Sequence, residues 1–265
     1  MKTKTNNRAD WLTRPGPVRV SEVTAVFWLI KGLSTAMGES TSDYLVHLMA
    51  PELAVVLGFA GFVVAIILQF RAGRYWAWTY WFAVVMVGIF GTMAADVLHV
   101  GLGVPYVAST ILYAAALAAV FTLWRRTEHT LSVHSITTAR REAFYWAAVA
   151  ATFAMGTALG DLTAFTLHLG YFASAALFAG AIAVPAAGYR WLQWNPVVSF
   201  WAAYVVTRPL GASIADGLGK GTADHGLGLG QGHVVVVIGL LIVGLVAYVA
   251  TKPNNRRLVS ANIPN

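Results

Sequence analysis

No cysteine occurs in the 265 residues, which excludes a disulfide framework, a thiolate nucleophile and any zinc, iron–sulfur or c-type haem site built on sulfur. Charge is scarce as well. Lys and Arg number 18 and Asp and Glu 11, so charged residues make up 11% of the chain, where a soluble domain carries about a quarter. A soluble enzyme of this length could not cover its surface with so few charges, and no enzyme is expected. There is no Ser–His–Asp constellation, and the longest polar connection, about Arg125 to Glu142, is too short to fold alone. What fills the chain is apolar: 58% of it is hydrophobic. The net charge of +7 is spread through short loops rather than gathered on one face, so no nucleic-acid partner is expected.

Eight apolar stretches, each of about 20 residues and so able to cross a hydrocarbon core ~30 Å thick, run at roughly 21–42, 51–70, 76–97, 105–124, 143–163, 168–188, 194–215 and 232–251. The spacing predicts an all-α integral membrane protein. Its parts are a basic tail over 1–20, an eight-helix transmembrane domain over 21–251 and a second tail over 252–265, both tails too poor in apolar residues to fold alone. Fifteen of the 18 cations fall at the two termini and in alternate connections, Lys220 stands alone on the other side, and Lys31 and Arg208 lie within spans. Both termini are therefore expected on the cytoplasmic side. A signal peptide ending at Ala36-Met37-Gly38 is rejected, because Lys31 interrupts the apolar region and the same local pattern recurs where no cleavage could be meant.

That recurrence is an internal repeat. The outer ends of spans 1, 3, 5 and 7 read Ser34-Thr35-Ala36-Met37-Gly38-Glu39, Gly91-Thr92-Met93-Ala94-Ala95-Asp96, Gly156-Thr157-Ala158-Leu159-Gly160-Asp161 and Gly211-Ala212-Ser213-Ile214-Ala215-Asp216. Trp81, Trp146 and Trp201 each stand fifteen residues before an acid, with Thr24 there in the first unit and Trp28 nearby. The units are about 21–70, 76–124, 143–188 and 194–251. Each contains two crossings, so all four enter the membrane in the same sense, and inverted-topology repeats are excluded. A ring or a pair of pairs would point the four marked helices to a common centre. Units 1 and 4 share a cation eight residues before the acid, Lys31 and Arg208, where units 2 and 3 have Gly88 and Phe153.

On the repeat number and on Trp81, Trp146 and Trp201, the sequence resembles a bacterial family of uncharacterised membrane-anchored proteins with four tandem repeats, each of two transmembrane segments and a characteristic tryptophan. The resemblance covers about residues 21–251, and the first unit departs from the tryptophan pattern. It implies a multi-pass protein of the bacterial inner membrane and supplies no activity, so function has to come from the residues.

Small residues four apart, such as Gly156 and Gly160, let helix backbones approach closely. The tryptophans lie ~22 Å below the acids along a helix, where an aromatic belt at the cytoplasmic interface is expected. The acids resist a packing explanation, since a charge at a span centre costs ~2.5–3.5 kcal/mol even on the lenient scale. Glu39, Asp96, Asp161 and Asp216, with Asp43 one turn beyond Glu39, are therefore candidates for lining an outward-facing polar cavity; wetted helix ends or fixed ion-pair partners are the alternative. Lys31 and Arg208 are expected to face the interior and reach Asp96 or Asp161, whose units lack a cation.

His47, His99, His168 and His225 follow the four acids, with His233 additional. Asp96 and His99 share a face of a continuous helix, as metal ligands or a proton relay require; without sulfur, such a set suits Mn, Fe, Zn or Ni. The glycine-rich stretch 217–232 has no strand before it and reads as a flexible outer loop or gate rather than a nucleotide site.

The expected function is a small secondary transporter or exporter of a cation, a divalent metal ion being one candidate, with protons as counter-ion and no covalently held cofactor. Glu39, Asp43, Asp96, Asp161 and Asp216 would hold cation or proton, and Lys31 and Arg208 would be mobile counter-charges. Two other readings stay open: a non-transporting structural or partner-binding membrane protein, and an anion binder using Lys31 and Arg208. The expected surroundings are the lipid bilayer, a small cation and protons, and a homo-oligomer is left open. A haem protein is disfavoured because the histidines cluster near the outer ends.

Overall fold

Local signals mark half of the long helix starts. Thr24 and Thr138 accept hydrogen bonds from the backbone N–H groups of Phe27 and Arg141, and Asn195 accepts from Val197 and Val198, so each caps the turn that follows it. Pro51 and Pro196 occupy the first turn, where a missing N–H is tolerated. The computed structural model, which describes residues 10–252, contains eight long helices. They are α1 (Ala25–Leu48), α2 (Pro51–Ala72), α3 (Ala77–Asp96), α4 (Tyr106–Glu128), α5 (Ala139–Asp161), α6 (Gly170–Trp191), α7 (Pro196–Gly219) and α8 (Gln231–Thr251). No strand occurs among the described residues. The expected spans are thus present as helices, several extended by a turn.

Seven of the eight, α2 to α8, are long and apolar enough to cross a membrane. The expected first span is the exception: α1 is equally long but carries Lys31, Glu39 and Asp43. Burial divides the helices into two sets. In their most apolar stretch α3, α5 and α7 bury 56%, 67% and 56% of residues, whereas α2, α4, α6 and α8 bury 22%, 17%, 22% and 22%. The first three close a ring with α1, in which α1 and α5 each pack against both α3 and α7. Each outer helix lies chiefly on the inner helix of the next hairpin: α2 on α3, α4 on α5, α6 on α7, and α8 back on α1.

The small residues of the repeated motif sit where inner helices cross. A Cβ on Gly38 would come within 2.8 Å of the Gly88 backbone, Gly91 abuts Phe153, and Gly211 faces Thr35. One expectation needs correction. Trp81, Trp146 and Trp201 are not an interfacial belt: all three are buried, because they stand on the inner helices, where they pack against Phe27, Tyr80, Tyr145 and Tyr204. The N-terminal segment from Gly16 to Arg19 is docked on the bundle. Backbone N–H groups of Gly16 and Arg19 donate to Thr137 and Ile136, and Arg19 forms an ion pair of 2.8 Å with buried Glu142, to which Gln69 donates at 2.9 Å. Residues 1–9 and 253–265 of the expected tails lie outside the described residues.

Candidate functional site

Counting back from the acid of each inner helix, equal steps reach equal heights, at ~1.5 Å per residue. Eight residues back, Lys31, Phe153 and Arg208 meet across the ring: Lys31 Nζ lies 4.5 Å from the centre of the Phe153 ring and the Arg208 guanidinium 5.1 Å from it. The fourth position is Gly88, whose missing Cβ leaves room for that ring, which would otherwise be 2.8 Å away. Four residues back stand Thr35, Thr92, Thr157 and Ala212. Arg208 reaches up into this layer. Its Nη1 donates to the Thr35 carbonyl at 3.1 Å, and its Nη2 faces the Thr92 hydroxyl, the Thr157 hydroxyl at 2.6 Å and Glu39 at 2.7 Å. One guanidinium, fully buried, thus bonds to the three other inner helices.

The acids form the next layer. Asp216 is buried and Asp43 partly so, and the Lys220 ammonium lies between them, 3.2 Å from Asp216 Oδ1 and 3.5 Å from Asp43 Oδ2; Gln231 donates to the same Asp43 oxygen at 3.0 Å. Burial works against the charge on Lys220, but Asp216 and Asp43 outweigh it and hold the group above the ordinary lysine value. Asp96 and Asp161 are half-buried. Each feels the charges of Glu39, Asp43 and Lys220, and among the described residues no hydrogen bond or ion pair reaches either carboxylate. Five carboxylates therefore gather at one end of the ring, answered there by Arg208 and Lys220.

The repetition of these layers has a counterpart in sequence comparison. The chain belongs to the family described as Repeat of Unknown Function (DUF347). Its repeat matches residues 79–130, 144–193 and 199–252, three tandem stretches that cover hairpins two to four and more than half of the chain. No curated protein and no solved structure matches. Within the three DUF347 repeats the acids Asp96, Asp161 and Asp216 hold one register, and the first two are each followed by the same irregularity. Val97–Gly101 and Leu162–Thr166 are single π turns, closed by N–H bonds from Leu102 to Val97 and from Leu167 to Leu162.

The π turn undoes the expected pairing of Asp96 with His99, which assumed an unbroken α-helix. The His99 ring instead meets the Ser109 hydroxyl at 3.1 Å and packs on Tyr106. His47 is exposed and bonds to the Asp43 carbonyl, while His168 and His225 are exposed in left-handed conformation, so the four histidines do not converge. No group of three or more His, Asp or Glu side chains able to hold a metal ion occurs among the described residues. The expected partners of the intramembrane cations are also corrected. Arg208 takes Glu39 rather than Asp96 or Asp161, and Lys31 faces the rings of Phe153 and Tyr204 with no hydrogen-bond acceptor among the described residues.

Thr92, Thr157, Phe153 and Lys220, which the sequence pattern contains without an expected role, belong to the site as well. Recurrence of threonine at one register was the signal for the first two, and the position four residues after Asp216 was the signal for Lys220. The stretch 217–232 is also better ordered than its glycine content implied. Leu227, Gly228 and Leu229 donate backbone hydrogen bonds to Gly217, Lys220 and Leu218, folding the segment back over the end of α7.

Proposed function

We propose that this protein is a proton-coupled secondary carrier of a cation, made of eight membrane-crossing helices in four two-helix units related by parallel pseudo-symmetry, with both ends on the cytoplasmic side of a bacterial inner membrane. The observation that carries the reading is the pair Asp96 and Asp161: accessible carboxylates without an ion pair among the described residues, within electrostatic reach of three further acids. Such a crowd of acids is neutralised by protons or by an incoming cation, and exchange between the two is what a coupled carrier needs. The apolar sheath around them fits a lipid bilayer. Leu53, Val56, Leu57, Ile111, Leu112, Val236, Val237, Leu240 and Leu241 are all exposed, forming apolar faces larger than a water-soluble monomer presents.

In reconstituted vesicles Asp96→Asn and Asp161→Asn should each abolish cation-driven proton flux while the purified variants keep their thermal stability. Full flux in both variants overturns the reading. A second reading, a structural lattice without transport, is favoured by the bonds that Arg208 makes to all three other inner helices. It expects the same two substitutions to lower stability and leave no flux to lose.

A further inference from the structure

Carboxylates are only half of what surrounds the Lys220 ammonium. Its Nζ lies 5.5 Å from the centre of the Tyr171 ring and 5.9 Å from that of Phe165. Phe165 meets Tyr171 edge to face at 5.8 Å and stacks on Tyr106 at 6.0 Å, so three aromatic residues form one wall. This wall faces the acids: Tyr106 and Tyr171 both feel the charges of Asp161, Asp216 and Lys220. Tyr171 is 3% exposed, and its hydroxyl, oriented among these charges, has no hydrogen-bond partner among the described residues. Ser213, three residues before Asp216 on the same helix face and 2% exposed, is in the same condition. Buried hydroxyls are ordinarily bonded, so two unpartnered ones beside the cluster are groups that a polar occupant taking the place of Lys220 would satisfy.

An alkylammonium ion uses both halves of such a site, its charge meeting carboxylates and its C–H surface meeting aromatic faces. A hard divalent metal ion takes oxygen ligands and gains nothing from the rings. We propose that the acid-and-aromatic pocket formed by Asp43, Asp216, Tyr171 and Phe165 binds an organic ammonium ion, and that Lys220 occupies it as a built-in surrogate which the ligand displaces. This inference rests on the cation-carrier reading and adds the class of cation.

The test uses the full chain in detergent and tetramethylammonium, which has no reactive amine. In the unaltered protein, saturating tetramethylammonium should raise acetylation of Lys220 by an N-hydroxysuccinimide ester at least about fivefold, as read by mass spectrometry. Sodium chloride at equal ionic strength and manganese chloride should leave it unchanged. In Lys220→Ala, binding of propylammonium should be at least tenfold tighter than in the unaltered protein, and Tyr171→Leu in that background should remove the gain. Unchanged acetylation with tetramethylammonium, or a rise with sodium or manganese as large as that with tetramethylammonium, overturns the proposal, as does a Lys220→Ala/Tyr171→Leu protein that keeps full affinity; the acetylation arm decides alone if that variant does not fold. Ammonium binding without flux would sink the carrier reading and spare this one. Metal flux without ammonium binding would do the reverse.

Discussion

Arg208 is the residue on which the inner ring converges, and its bonds explain why a full charge is tolerated in the middle of an apolar bundle. Taking a guanidinium and a carboxylate out of water is expensive, and their attraction offsets that cost only when the remaining protons find acceptors. Here Glu39, Thr92, Thr157 and the Thr35 carbonyl serve the two terminal nitrogens, while Nε has no acceptor among the described residues. Arg208→Met leaves Glu39 buried without its cation and should cost about 3–5 kcal/mol, seen as a large fall in thermal stability in detergent. Adding Glu39→Gln should recover a good part of that loss, because the stranded charge is then gone. Strictly additive losses would mean that the pair does not interact. The convergence was half legible. Thr35, Thr92 and Thr157 share a register that can be counted off the sequence, whereas the choice of Glu39 over Asp96 or Asp161 depends on how far the arginine stem reaches past its own layer. No spacing rule encodes that reach.

At the scale of elements, two features were hidden because they alter the helical period on which the sequence reading relied. The π turns after Asp96 and Asp161 each widen one turn, which rotates the residues within and beyond it, His99 among them, away from the face counted for them. The tryptophans were misassigned for a different reason. A tryptophan near the end of an apolar stretch fits an interfacial belt or a core equally, and only the division into inner and outer helices decides between them. The inner crossings themselves were readable from the small residues. Gly38→Ala drives a methyl group into the Gly88 backbone, which has no side chain to move aside, so it should cost about 1–3 kcal/mol. Gly180 of the outer helix α6 has nothing within 4 Å of its absent Cβ, and Gly180→Ala should be neutral or mildly stabilising. Equal thermal stability of the two variants would show that α1 and α3 do not approach as closely as described.

For the molecule as a whole, the chain closes on itself: each outer helix leans on the next hairpin, and α8 returns to α1, so no hairpin is left with an uncovered inner face. The two ends of this closed bundle differ in charge. One gathers Asp43, Asp96, Asp161, Asp216 and Lys220, and the other carries Arg71, Arg74, Arg125, Arg126, Arg140, Arg141 and Arg190 in the opposite connections. Cationic connections are retained on the cytoplasmic side, so the acid end should face outward. The absence of cysteine makes this directly measurable. His134→Cys and Ala223→Cys place single thiols at exposed positions in the connections at the two ends. In right-side-out membrane vesicles a membrane-impermeant maleimide should label Ala223→Cys at once and His134→Cys only after permeabilisation. Labelling of both before permeabilisation would place the two ends on one side and remove the membrane-crossing arrangement. The reverse order would turn the acid cluster toward the cytoplasm, and with it the direction from which a cation enters.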